Sequence, residues 1–303
     1  MPSVIAPGNH DGVHLGHQAL LRSARAYASR HGLSTRALTF DPHPAALLEP
    51  ARAPTVLTLQ PRRAELLRGV GADSVIVQRF THDFAALSPE AFILSLLAQG
   101  ARALVVGPDF RFGCKRTGDV SLLQSLGHKH GFATLIEAPV LLQGERVSSS
   151  AIRKALGDGD VAQAARMLGR LHEITGLVVR GDQRGRTLGF PTANLDPEPV
   201  LRPCDGVYAV VARVLGQARA PLALGVANLG TRPTVGAGRS LEVHLFDFDA
   251  DLYGKTLRVG FVQRVRDEAR FSGLPELRAQ IERDCGSATE LLAKREKELE
   301  SWI

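Results

Sequence analysis

The stretch PGNHDGVHLGH, Pro7 to His17, follows a short apolar run at Ser3–Ala6 and leads into a helical pattern that starts at Leu15. The run before it reads as a buried strand. In the helix after it, Leu20, Ala24 and Tyr27 share one side and Gly32 is the stop. The pattern then repeats. Strand-like runs return at Thr35–Phe40, Ser74–Gln78, Ala103–Val106 and Ala133–Glu137, with helical patterns between them. The best-signalled helix is Pro89–Gln99, with Ser88 as N-cap, Pro89 in its first position and Glu90 in its first turn. Strand and helix alternating in this way predict an α/β domain whose parallel sheet is covered on both faces. Its ligand is expected at the carboxyl ends of the strands.

His14 and His17, spaced HxGH, fall where strand gives way to helix, so both can face an anion held at the helix N-terminus. Adenylyl transfer must stabilise charge spreading over an α-phosphate as pyrophosphate leaves. Two imidazole donors beside backbone N–H groups suit that task. A lone histidine is more often polar surface or a satisfied core residue; here the glycine-spaced pair after the first strand has a distant partner of the right type. That partner is SSSAIR, which opens a helix after the last strand of this half. Ser148, Ser149 and Ser150 place hydroxyls at its N-terminus and Arg153 lies one turn in, forming a second phosphate-facing edge.

Beyond this point the pattern changes. Asp158–Arg170 reads as a short connecting helix, not a flexible linker. Short β-rich runs follow at Glu173–Val179, Gly206–Val214, Leu222–Asn228, Ser240–Phe248 and Leu257–Phe261, separated by Gly, Pro and Asp turns with no helix among them. An antiparallel barrel or sandwich is expected. Pro275–Glu300 is helical in composition, with Leu277, Ile281, Leu291 and Leu292 available to pack. Within this half lies GRTLGFPTAN, Gly185 to Asn194. Its glycines let backbone N–H groups approach a phosphate, Arg186 offers a planar fork, and Thr192 and Asn194 are hard oxygen ligands of the kind Mg²⁺ accepts. The residue types alone fit a glycine-rich hairpin leading into a strand equally well.

HxGH and SSxxIR together resemble the paired motifs of the HxGH nucleotidyltransferase superfamily. GNHDGVHLGH, TFDPHP (Thr39–Pro44) and GPDFRFGCKRTGD (Gly107–Asp119) are similar to the FMN adenylyltransferase module of bacterial bifunctional FAD synthetases. The resemblance spans nearly all of residues 3–157 and implies a Rossmann-like nucleotidyltransferase fold. It implies that Gly8, Asn9, Asp11, His14 and His17 contact ATP and the transferring phosphate, with Arg153 and the serines before it closing the site. Asp109, Phe110 and Arg111 would lie near the flavin nucleotide and adenine. Phe110 and Phe112 also fit plain anchoring of a loop, which for Phe112 is the better fit. The family usually has Gly-Asn-Phe-Asp where this chain has His10 in the aromatic position. The resulting HxxxHxxH spacing is completed as a metal shell by no Cys or carboxylate cluster.

GRTLGFPTAN resembles the signature of the riboflavin kinase family. Gly176 and Gly181 precede it, and GVYAV, GVANLGTRPTV and LEVHLFDF follow it, in that family's order. The resemblance implies that Gly181, Gly185, Arg186 and Gly189 surround the phosphates and that Thr192 and Asn194 help hold the metal. Glu242 falls on the family's catalytic glutamate. Strand alternation points it to the side of His244 and away from Val243, although a charged residue among apolar strand neighbours is more often simply solvated. Arg266, Asp267 and Phe271, in VRDEARF, look like the flavin-side loop.

These readings divide the 303 residues into an adenylyltransferase domain at 1–157, a connecting helix at 158–170 and a riboflavin kinase domain at 171–303, a barrel followed by C-terminal helices. The implied activities are phosphorylation of riboflavin to FMN, then adenylation of FMN to FAD, with ATP and Mg²⁺ in both. Two alternatives stand beside them. One is a kinase whose first domain is impaired by His10 or a short N-terminus; the other is a flavin-sensing protein without turnover, against which Thr192, Asn194 and Glu242 argue.

Hydrophobic content of 44% with 22% charged residues is that of a globular protein. No apolar run approaches the ~20 residues that cross a bilayer, and no basic region followed by an apolar one opens the chain, so a cytoplasmic protein is expected. Cys114, Cys204 and Cys285 are odd in number and outside any CxxC, as reduced structural cysteines are. The net charge of +6 lies wholly in residues 1–157, which hold 17 Lys and Arg against 11 Asp and Glu. With no basic run or stripe to mark nucleic acid or a membrane as partner, a polyphosphate ligand on a solvated surface accounts for it. The oligomeric state is not legible.

Overall fold

Val4, Ile5 and Ala6 have no exposed surface in β1 (Ser3–Pro7), because this strand is the middle of a parallel five-stranded sheet. The computed structural model describes residues 1–181, 185, 188–216, 221–231, 239–295 and 299. They form two compact units, Met1–Ser149 and Ser150–Ile303. In the first, β2 (Ser34–Asp41), β3 (Ser74–Arg79), β4 (Ala101–Val106) and β5 (Ala133–Ile136) join β1 in the order β3-β2-β1-β4-β5. Alternate side chains feed two apolar layers. On one face Val4, Ala103 and Val105 meet Ala24 and Ala28 of α1 (Leu15–His31). On the other, Ile5, Leu38, Leu104 and Val106 meet α5 (Pro89–Ala98) through Phe92, Ile93 and Leu96, and α6 (Val120–His130) through Leu123 and Leu126. A sheet covered on both faces needs such continuously apolar central strands.

The helix ends follow the sequence signals. Gly32 ends α1 at φ 65°, and the Ser88 hydroxyl caps α5 by accepting the Ala91 N–H. Three shorter helices complete this unit: α2 (Pro44–Leu48), α3 (Gln60–Gly69) and α4 (His82–Ala85). From β1 the chain moves outward to β2 and β3, then returns to β4 on the other side of β1. Neighbouring β1 and β4 therefore send their loops to opposite faces, which opens a crevice at their carboxyl ends.

A small hairpin, β6 (Leu141–Leu142) with β7 (Glu145–Arg146), stands between β5 and α7 (Ser149–Gly157), so SSSAIR follows this hairpin and not β5 itself. The division between the units, at Ser149/Ser150, lies eight residues before the expected 157/158 boundary. Helix α8 (Val161–Leu168) lies within the stretch expected to connect the domains. It buries Val161, Ala164, Ala165 and Leu168 and packs on strands of the second unit.

That unit is a closed barrel. Its strands are β8 (His172–Val179), β9 (Ala193–Pro197), β10 (Gly206–Val214), β11 (Ala223–Thr231), β12 (Arg239–Leu245) and β13 (Thr256–Arg266), hydrogen-bonded in the order β10-β11-β12-β9-β8-β13. Closure decides between barrel and sandwich. Strand β9 was not read from the sequence; it lies at the end of GRTLGFPTAN, and its residues, ANLDP, have low strand propensity. The last helix, α9 (Leu274–Ala293), packs Ala288 and Leu292 against β10, β11 and β13. Among the described residues no helix is long and apolar enough to cross a membrane.

Candidate active sites

In the first unit a cavity of about 520 Å³ opens at the carboxyl ends of the strands. The loop after β1 supplies Gly8, Asn9, His10, His14 and His17 to its wall. His14 is the N-cap of α1. Its Nδ1 accepts the Gly16 N–H at 3.1 Å, so in the neutral ring the proton sits on Nε2, from which it can be donated. The His17 ring stacks on it at 3.7 Å. Asn9 bonds His43 at 3.1 Å, and its carbonyl accepts from Thr39 and from the buried Arg63. Asp11 is placed differently from its expected contact with ATP. At 2% exposed it is absent from the cavity wall, and its carboxylate accepts the N–H groups of Leu57 and Thr58 and lies 3.8 Å from Arg63. It braces the loop from behind.

His10 is fully buried with φ 49°, a left-handed conformation uncommon outside glycine. Its Nε2–H donates to the Ala6 carbonyl at 3.0 Å, and its ring stands edge-on to His17 at 5.0 Å. Burial lowers its pKa from 6.5 to about 4; the Ala6 bond opposes this and the Arg63 charge adds to it. His10 is therefore neutral near pH 7. With rings edge-on and stacked, the three histidines do not converge on one point, and among the described residues no His, Cys, Asp and Glu cluster could hold a metal.

The Ser149 hydroxyl donates to the Asp11 carbonyl at 2.9 Å, and Ser148 lines the cavity. Ser150 and Arg153 belong to the second unit, on α7. On the β4 side, Asp109 pairs with Arg146 at 2.8 Å. Partial burial would raise the Asp109 pKa, but the bond and charge of Arg146 outweigh it and hold the carboxyl below its ordinary value. Arg111 lies 3.4 Å from Asp119, and Phe110 stacks on Phe112 at 5.4 Å. Phe112 is 5% exposed and sits in the core, as an anchor does.

Sequence reasoning missed the aromatic wall. Phe40, Phe80 and Phe84 line the cavity together with Phe110; the Phe80 ring stands edge-on to Phe40 and Phe84 at 5.6 and 5.7 Å, and Phe40 is tilted to Phe84 at 6.0 Å. The available signal was positional: Phe40 lies near the end of β2, and Phe80 directly follows β3. His43 and Arg146 were missed too. The cavity thus offers an apolar aromatic side for a planar ring system and a helix N-terminus with imidazoles for an anion.

In the second unit the barrel register places Glu242 between Asn194 on β9 and Asn228 on β11. Glu242 and His244 are half-buried while Leu241, Val243 and Leu245 are buried, the alternation expected of β12. Asn194 is 6% exposed, and a Cβ at Gly181 would run into its amide, so a larger residue there would have to displace the Asn194 side chain. A Cβ at Gly185 would meet Thr192 Oγ1 at 3.0 Å. Gly181 thus lies against Asn194, the register partner of Glu242, and Gly185 lies against Thr192. Gly189, at φ 90°, is exposed, and Arg186 lies outside the described residues. His244 bonds the Pro191 carbonyl at 2.8 Å and meets the Phe190 ring edge-on.

Arg266 is engaged elsewhere. It bonds both carboxylate oxygens of Asp284, a residue of α9 only 4% exposed, at 2.8 and 2.7 Å, and lies over the Phe271 ring. Asp267 is exposed and pairs with Arg264 at 3.1 Å.

Residues 1–151 match the family model described as FAD synthetase, and residues 168–292 the one described as riboflavin kinase. A curated bifunctional riboflavin kinase/FMN adenylyltransferase from Escherichia coli (strain K12) is 44% identical, the match covering 93% of this chain and 90% of that protein. One of the same description from Pseudomonas fluorescens is 41% identical over 94% of this chain and 92% of its own. A crystal structure from Streptococcus pneumoniae, titled a macrolide-efflux protein, is 32% identical with a TM-score of 0.85 and covers 93% of this chain and 92% of that one.

Proposed function

The chain belongs to the bifunctional riboflavin kinase/FMN adenylyltransferase family, and from that premise we propose where each reaction takes place and which residues carry it. The protein is an enzyme of FAD biosynthesis, phosphorylating riboflavin with ATP and adenylating the FMN formed. Adenylation is assigned to the cavity of the first unit. The observation that carries this is the union, at one crevice, of the α1 N-terminus with its histidine cap and the Phe40–Phe80–Phe84–Phe110 wall. The flavin ring would lie against the phenylalanines, and the ATP phosphates would face His14, His17 and Ser148. As pyrophosphate leaves, charge grows on the α-phosphate oxygens, and His14 Nε2–H with the first N–H groups of α1 would stabilise it. Asp11 and Ser149 act by holding this loop in place. Asp109, Phe110 and Arg111 would border the flavin nucleotide.

Phosphorylation is assigned to the barrel. Glu242 would take the proton of the riboflavin primary hydroxyl as it attacks the γ-phosphate, with Asn194 held beside it by the β9–β12 register. Thr192 and Asn194 supply the hard oxygen donors that suit Mg²⁺, which when bound would neutralise phosphate charge. Gly181, Gly185, Arg186 and Gly189 would surround the phosphates. Arg266, through Asp284, fixes the loop that bears Asp267 and Phe271 at the flavin end. Both reactions consume ATP, which fits a cytoplasmic site of action.

The test is to incubate the chain with riboflavin, ATP and Mg²⁺ and separate the flavins over time. FMN followed by FAD is expected; Glu242→Gln should abolish the first step from riboflavin, and His14→Ala the conversion of supplied FMN. FMN without FAD would leave a kinase alone, and no conversion would refute both assignments.

A further inference from the structure

Residues 113–118 form a tight loop on the cavity wall that the reaction as described does not use. Antiparallel bonds between Phe112 and Gly118, at 3.1 and 2.9 Å, pin its ends. The Cys114 N–H donates to the Leu87 carbonyl at 2.7 Å, and a Cβ at Gly113 would lie 2.6 Å from the Pro89 nitrogen, so the loop lies flush on the start of α5. At its tip two consecutive non-glycine residues, Lys115 at φ 50° and Arg116 at φ 58°, hold left-handed backbones. Side chains disfavour that conformation, and strained pairs of this kind persist where the surroundings over-determine them.

Lys115 and Arg116 are exposed and line the same cavity as His14 and Ser148. Two other arginines of that wall are already neutralised, Arg111 by Asp119 and Arg146 by Asp109. Among the described residues Lys115 and Arg116 form no ion pair, although the Arg116 charge is felt at Asp109. A point charge and a planar fork, side by side and unpaired over a cavity, match an oxyanion, and in a cavity assigned to nucleotide chemistry that anion is a phosphate.

We propose that Lys115 and Arg116 form a phosphate clamp of the adenylyl-transfer cavity. This rests on the assignment of adenylation to the first unit. The phosphate is either the triphosphate tail of ATP, which departs as pyrophosphate, or the 5′-phosphate of FMN.

The test compares the wild type with the double variant Lys115→Gln/Arg116→Gln in conversion of supplied FMN to FAD, and in calorimetric binding of inorganic pyrophosphate. Loss of two charge-assisted contacts made by solvent-exposed side chains should raise the KM for the clamped substrate about tenfold. A higher KM for ATP with weaker pyrophosphate binding identifies the triphosphate; a higher KM for FMN alone identifies its 5′-phosphate. Lys115→Arg/Arg116→Lys keeps both charges and should retain most of the affinity. A thermal melt of the Gln variant should match the wild type, because both side chains are exposed. Should KM for both substrates and pyrophosphate affinity stay within about twofold of wild type, the clamp is overturned. If the wild type itself makes no FAD, the assignment of the reaction fails, and pyrophosphate affinity alone decides the clamp by the same threshold.

Discussion

Replacing His10 with Phe should remove an acid-sensitive element from the first unit. In the native state burial holds this imidazole neutral down to about pH 4, whereas the unfolded chain takes up the proton near 6.5. The unfolded state therefore binds more protons between those values, and stability falls as pH is lowered through that window. At about pH 5 the imbalance amounts to roughly 2 kcal/mol, rising to about 3 kcal/mol at pH 4. For a unit of this size, about 2 kcal/mol corresponds to a Tm change of about 4–8 °C. His10→Phe also leaves the Ala6 carbonyl without its donor, but that cost is the same at every pH. The assay is thermal unfolding followed by circular dichroism at about pH 7.5 and pH 5, at one ionic strength. The wild-type Tm of the first unit should drop by about 4–8 °C more than that of the variant. Parallel lines for the two proteins would refute the argument, since they would mean that His10 titrates equally in both states.

Three further substitutions separate roles that the geometry assigns. Gly181→Ala drives a Cβ into the Asn194 amide, which should destabilise the barrel by about 1–3 kcal/mol and slow riboflavin phosphorylation while supplied FMN is still adenylated; chromatography of the flavins reads both. Arg266→Ala strands the buried Asp284 carboxylate, and chemical denaturation should show the second unit weakened by about 3 kcal/mol, with Arg266→Lys intermediate because it cannot reproduce the two-point contact. Asp11→Asn should lower the Tm of the first unit through weaker bonds to Leu57 and Thr58, at about 1–3 kcal/mol. Were Asp11 instead a direct ATP contact, KM for ATP would rise with the melt unchanged.

The elements legible in the sequence were those whose signals are local. Apolar runs marked β1 to β5, Ser88 and Gly32 marked helix ends, and alternation placed Glu242 with His244. What stayed hidden depends on long-range partners. Asp11 sits among glycines and histidines, and nothing near it tells that its carboxylate turns to N–H groups 46 and 47 residues away. The aromatic wall is assembled from the end of β2, the segment after β3 that includes α4, and the loop after β4, so no window of sequence contains it. Arg266 reads in VRDEARF as a flavin-side residue, and only the fold brings Asp284, 18 residues on and in a helix, to its guanidinium. Strand β9 is recruited by barrel closure in spite of its composition, because β8 and β12 each present it with an unpaired edge.

That closure leaves the two halves with unequal exposure to self-association. A barrel in which every strand has two neighbours presents no row of open N–H and C=O groups for another molecule to extend. The sheet of the first unit ends on β3 and β5, and β3 carries the half-exposed Val77 beside Gln78 and Arg79. In a concentrated or gently heated sample, intermolecular strand addition would begin at that border, and a charge introduced at Val77 is the change that would oppose it.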